Sequence, residues 1–332
     1  MPSPVDSRPL RGRAGWRRGR PWDGWQPRGG LAQAEIQVGP LKRTYWLAPG
    51  PQRPSPLLVV AHGLGMNGND MTAFTGLAQR GPSAGFAVVF PDGVGQVWDG
   101  ARRLPRREDV DDPGFVRLLI EHLAAEGIAS PIPPVLVGLS NGARFVEHLA
   151  RHGLVAASGI VLVAGSASVA SRREAPRPAH PVTVLSFQGT ADPVMPYEGG
   201  PTGGRGVIGW MTARRARRRG ETGEARMALA AEVVAADWAL ANGLGPQPSF
   251  ESLPTNRGSL HVARLTWSAP GRKPVVLYRI EGGGHGWPGG PQYMPALLIG
   301  RVARDLDATA VLLEMARREC LHPGGSLPPV VP

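Results

Sequence analysis

The sequence predicts a doubly wound α/β fold, with a mostly parallel central sheet flanked by helices. Three observations predict it. From about residue 33 onward, short Val/Leu/Ile/Phe runs alternate with segments of helical periodicity. Several of those runs are apolar throughout, as strands buried on both faces must be. After that point the chain of 332 residues shows no internal repeat and no linker-like break, and it is long enough for one large core.

In chain order, strands are expected at 34–38, 42–47, 56–61, 86–90, 134–139, 159–164, 182–187, 262–267 and 275–280. Helices are expected at 70–79, 113–126, 141–151, 224–242 and 308–318. Gly243 is a natural stop for the fourth helix and Asp307 a natural N-cap for the last. These elements define a single catalytic domain over 33–320, with a Gly- and Arg-rich inserted loop at 201–223. Residues 1–32 read as a disordered basic leader, and 321–332 as a C-terminal tail.

Charge and cysteine content narrow the function classes. The net charge is +11, concentrated in Arg8, Arg11, Arg13, Arg17, Arg18, Arg20 and Arg28 and in Arg214, Arg215, Arg217, Arg218 and Arg219. Such clusters either meet anionic surfaces or are solvated segments of an arginine-rich chain, and the second reading is favoured. No nucleic-acid-binding motif accompanies them, so no nucleic-acid partner is expected. No apolar run approaches the ~20 residues of a membrane span, and no secretory signal is readable after Arg17-Arg18. The single Cys320 allows no intramolecular disulfide and fits a reducing compartment. No metal site is expected: His148 and His152 share a helix face, but the glutamate of a zinc-binding H-E-x-x-H is missing.

The chemistry-bearing residues cluster where strands should end. Val135-Leu136-Val137 runs into Gly138-Leu139-Ser140-Asn141-Gly142, a G-x-S-x-G pattern followed by a helix. A chain with 46 glycines would show this pattern by chance roughly 0.3 times, so its strand-to-helix context carries the inference. That context lifts the Ser140 hydroxyl out of a sharp turn, with glycines where a Cβ would clash. The strand at 182–187 leads to Asp192, and the strand at 275–280 leads to His285. A nucleophilic serine needs a base within reach and an acid to orient that base; strand ends supply both. His122, His148, His152, His180, His261 and His322 lack a strand-end context. The strand at 56–61 runs into His62-Gly63-Leu64, so the backbone N–H of Leu64 (or Gly63) and that of Asn141 are the candidate oxyanion donors. His62 is then structural. Trp98 and Trp287 either wall an acyl site or pack in the core. No cofactor is required.

The order Ser, Asp, His is that of α/β hydrolases. Together with His62-Gly63, Pro91-Asp92-Gly93, Val110-Asp111-Asp112, Gly189-Thr190-Ala191-Asp192-Pro193 and Gly283-Gly284-His285-Gly286-Trp287-Pro288-Gly289-Gly290, the serine motif resembles the esterase/polyhydroxybutyrate-depolymerase family. That family includes feruloyl and acetylxylan esterases, and the resemblance covers roughly residues 35–318. It implies Ser140 as nucleophile, Asp192 as acid and His285 as base, acting on a small or polymeric carboxylic ester through an acyl-enzyme. Members are often extracellular, whereas the single cysteine here also suits the cytoplasm. A peptidase or thioesterase on the same scaffold, and an inactive binding protein, are the competing readings. The chain departs from the family at Gln188, where His is more common, at Ala143 in the serine motif, and in the arginine-rich segment.

Overall fold

The computed structural model describes residues 31–99, 110–204, 223–254, 256 and 259–321. Nearly all of the expected leader and tail, and the arginine cluster at 214–219, lie outside the described residues.

The strands are β1 (Ala32–Val38), β2 (Leu41–Ala48), β3 (Leu57–Ala61), β4 (Ala87–Pro91), β5 (Val135–Leu139), β6 (Gly159–Val163), β7 (Thr183–Gly189), β8 (Gly200–Pro201), β9 (Met227–Ala228), β10 (Ser249–Leu253), β11 (Val262–Trp267) and β12 (Val275–Ile280). Ten of them form one sheet in the order β1-β2-β4-β3-β5-β6-β7-β12-β11-β10, and β8 pairs with β9 separately. The six central strands, β4 to β12, run parallel, while β1, β2, β11 and β10 extend the sheet antiparallel at its two edges. Every residue of β3, β4, β5, β6 and β7 is buried, which explains the apolar runs of the first four; β7 also buries Thr183, Ser186 and Gln188. Fully burying each Val, Leu or Phe in them contributes about 1.5–3 kcal/mol.

The helices are α1 (Gly68–Thr75), α2 (Leu77–Ser83), α3 (Asp112–Ala125), α4 (Asn141–Arg151), α5 (Val169–Glu174), α6 (Ala231–Ala241), α7 (Ala296–Ile299) and α8 (Ala308–Cys320). Two apolar layers sandwich the sheet. One packs α3, α4 and α6 through Phe115, Phe145 and Trp238. The other packs α1, α2 and α8 through Phe74, Leu77 and Leu312. Among the described residues, no helix is long and apolar enough to cross a membrane.

Sequence and structure differ at four places. The helix expected at 70–79 is two helices, because Gly76 takes φ +63° and caps the first. The stretch expected as one helix over 224–242 holds a 3₁₀ turn at Glu224–Arg226, then β9, and only then α6. Edge strand β10 carries no alternation signal, since four of its five residues are exposed. Helices α5 and α7, of six and four residues, are too short to show a period. Gly243 has φ +71° after α6, and the Asp307 carboxylate accepts from the Ala310 N–H at the start of α8.

Candidate active site

The serine turn is held by close approach. Ser140 has φ +56° and ψ −113°, a strained backbone for a residue with a side chain. A Cβ on Gly138 would collide with the Gly142 carbonyl, and one on Gly142 would collide with the Ala61 carbonyl. Only glycine lets β5, the turn and β3 approach so closely. The Ser140 N–H donates to the Val163 carbonyl of β6 at 2.8 Å, which fixes the turn from its other side.

The His62-Gly63 turn after β3 lies against this serine. A Cβ on Gly63 would stand 3.7 Å from the Ser140 Cβ. His62 is fully buried: its Nδ1–H donates to the Gly63 carbonyl at 2.8 Å, and its Nε2 accepts from the Gly93 N–H at 2.9 Å. That pair of bonds needs the neutral ring, and burial pushes its pKa down to about 4. His62 therefore braces the turn. The N–H groups of Leu64 and Asn141 meet no acceptor among the described residues.

Three residues beyond β7, Asp192 is buried, and its Oδ1 accepts from the N–H groups of Val194 (2.7 Å) and Met195 (2.8 Å). Its Oδ2 lies 2.7 Å from His285 Nδ1. His285 Nε2 lies 2.8 Å from Ser140 Oγ. The loops carrying Asp192 and His285 are sewn together: the Ala191 N–H donates to the Gly283 carbonyl, and the Gly282 N–H to Thr190 Oγ1, both at 2.9 Å. The His285 N–H donates to the Ile299 carbonyl of α7. So Ser140, Asp192 and His285, separated by as many as 145 positions, form one continuous hydrogen-bonded row.

The two tryptophans are enclosed. Trp98 is 0% exposed and stacks on Phe145, with ring centroids 4.8 Å apart and planes 6° apart. Trp287 is 1% exposed, and its indole N–H donates to Thr309 Oγ1 at 3.0 Å. Both rings are thus spent on packing within the chain rather than on an open acyl wall. Gln188, the departure noted in the sequence, donates from Nε2 to the Gly165 carbonyl at 2.7 Å. Gly165 in turn packs against the Ser140 carbonyl, so Gln188 holds the segment that backs the serine turn. Tyr293 carried no sequence signal, because it lies in an irregular loop. Its burial, and then the Asp192 charge beside it, raise its phenol pKa. The rings of His148 and His152 lie 4.2 Å apart between centroids and tilted by 44°, but no group of three His, Cys, Asp or Glu able to hold a metal occurs among the described residues.

A doubly wound sheet of this strand order, with a strained serine on the turn between a central parallel strand and its helix, defines an α/β hydrolase. No family model matches the chain. A solved structure, the acetyl xylan esterase from Aspergillus awamori, superposes with a TM-score of 0.54 at 12% identity, covering 78% of this chain and 94% of that one. At that identity the likeness speaks for the fold. "Putative esterase NocK" of Nocardia uniformis subsp. tsuyamanensis is 30% identical over 285 residues, which are 82% of this chain and 78% of that protein. The chain belongs to this esterase family of the α/β hydrolases and is a carboxylic-ester hydrolase.

Proposed function

We propose that the chain hydrolyses carboxylic esters through an acyl-enzyme on Ser140, within one catalytic domain over 33–320. His285 Nε2 takes the hydroxyl proton as Oγ attacks the ester carbonyl. The N–H groups of Leu64 and Asn141 receive the charge that develops on the carbonyl oxygen. Asp192 holds the imidazole in the Nδ1–H tautomer and stabilises its cation. The imidazolium then gives its proton to the leaving alcohol, and water releases the acid by the same steps in reverse roles. The observation that carries this reading is the pair of contacts made by His285, 2.8 Å to Ser140 and 2.7 Å to Asp192. The substrate classes that the family resemblance suggests are hydroxybutyrate oligomers, feruloyl esters and acetyl esters.

The test is a panel of p-nitrophenyl acetate and butyrate, methyl ferulate and hydroxybutyrate oligomers, run on wild type and Ser140→Ala. Turnover of at least one ester by wild type, with its loss in Ser140→Ala, is expected. A variant that keeps most of the activity would remove Ser140 from the mechanism.

A further inference from the structure

Both segments that would supply the oxyanion donors are tied to one residue outside them, Trp98. Its indole N–H donates to the His62 carbonyl at 3.0 Å, one peptide before Gly63-Leu64. Its backbone N–H donates to Asn141 Oδ1 at 2.8 Å, and its carbonyl accepts from Asn141 Nδ2 at 3.4 Å. Its ring stacks on Phe145, one turn along α4 from Asn141. The next residue is fixed as well: the Asp99 N–H donates to Asp112 Oδ2 at 2.7 Å, and the other oxygen of Asp112 pairs with buried Arg43 at 2.6 Å. Trp98 therefore bridges the turn after β3 and the start of α4, two pieces of chain about 80 positions apart.

We propose that Trp98 is the positioning residue of the oxyanion hole: it sets the spacing between the Leu64 and Asn141 N–H groups. This rests on the acyl-enzyme reading above. The physical reason is that two fixed donors stabilise an oxyanion only while both point at one spot, and a displacement of about 1 Å can cost roughly 100-fold in rate. The ring never meets substrate, since it is wholly enclosed. Two of the three bonds that Trp98 makes to those segments are made by its backbone, and the indole bond to the His62 carbonyl is the one that depends on the side chain.

The test is Trp98→Phe, which keeps a ring on Phe145 and removes the indole donor to His62 together with part of the ring volume. A benzothienylalanine at position 98, the same shape with sulfur for N–H, serves if the phenylalanine variant folds poorly. For p-nitrophenyl butyrate, kcat should fall roughly tenfold while KM moves less than about twofold. The inhibition constant of an alkyl trifluoromethyl ketone should rise by a similar factor, because Ser140 Oγ adds to its carbonyl carbon and leaves the oxyanion between the two donors. The acidic limb of the kcat/KM–pH profile should not move, because the contact between His285 and Asp192 is untouched. Phe145→Leu, which weakens the stack and keeps the hydrogen bonds, should lower Tm and spare the inhibition constant. An unchanged kcat, an unchanged inhibition constant or a shifted pH limb in both position-98 variants would overturn the role of Trp98. Activity retained in Ser140→Ala would instead overturn the mechanism beneath it.

Discussion

Asp192 offers one carboxylate oxygen to His285 and commits the other to the backbone. Oδ2 meets His285 Nδ1 at 2.7 Å, while Oδ1 accepts the N–H groups of Val194 and Met195. This division decides what Asp192→Asn would do. The two backbone donors select the amide oxygen for the Oδ1 place, so the NH₂ is turned toward His285. An amide donor there makes Nδ1 an acceptor and moves the ring proton to Nε2, where it blocks proton transfer from Ser140. We expect kcat to fall about 10⁴-fold with KM little changed and Tm within a few degrees of wild type. Steady-state kinetics and a thermal melt check both parts.

Gly142→Ala tests the close approach that builds the serine turn. The added Cβ would run into the Ala61 carbonyl, and it would lie 2.6 Å from that of His62. Neither carbonyl can yield without moving β3 or the oxyanion turn. We expect a loss of about 1–3 kcal/mol in unfolding free energy and a larger loss of activity than of stability. Urea unfolding beside kcat/KM measures the two together.

Much of this site is legible in the sequence, because Ser140, Asp192 and His285 each follow a largely apolar run that becomes a strand of the central sheet. Ser140, Asp192 and His285 stand one, three and five residues beyond β5, β7 and β12. The bracing residues are not legible in the same way. Trp98 and Tyr293 lie in irregular loops, where periodicity carries no information. Arg43 stands in a strand with partly exposed neighbours, so its burial against Asp112 depends on tertiary packing. The sequence is silent for a similar reason at β10, whose exposed residues leave no pattern, and misleading at 224–242, where helix-forming residues yield to a strand paired with β8.

Acid should destabilise the fold through two buried histidines. Burial lowers the pKa of His62 to about 4, and burial followed by the charge of His152 lowers that of His148 to about 3. Unfolded, both would titrate near 6.5. Between these values the unfolded chain binds more protons, so stability is present above about pH 6.5 and falls as pH drops toward 4 and 3. Each group adds a slope of about 1.4 kcal/mol per pH unit inside its window. Glu147 acts in the opposite sense, since burial raises its pKa, with Arg151 countering. Urea unfolding from pH 7 to 4 should show the slope, and His148→Leu should reduce it by about one proton.

The buried pair under Trp98 makes the last prediction. Arg43 and Asp112 meet at 2.6 Å with 2% and 0% of their side chains exposed, and the guanidinium lies 4.0 Å above the Phe115 ring. The Arg43 Nη2 also donates to the Asp92 carbonyl at 3.1 Å. Arg43→Met keeps much of the stem that packs there and removes the positive charge beside the buried Asp112 carboxylate. Breaking such a pair from one side costs about 3–5 kcal/mol at neutral pH. Without the Arg43 charge, burial disfavours the ionised Asp112 carboxylate in the folded state. The variant's deficit relative to wild type should therefore shrink as pH falls. Unfolding free energies of both proteins at pH 7 and pH 5 measure the difference. A deficit that is equal at the two pH values would mean that Arg43 stabilises by packing on Phe115 and not by neutralising Asp112.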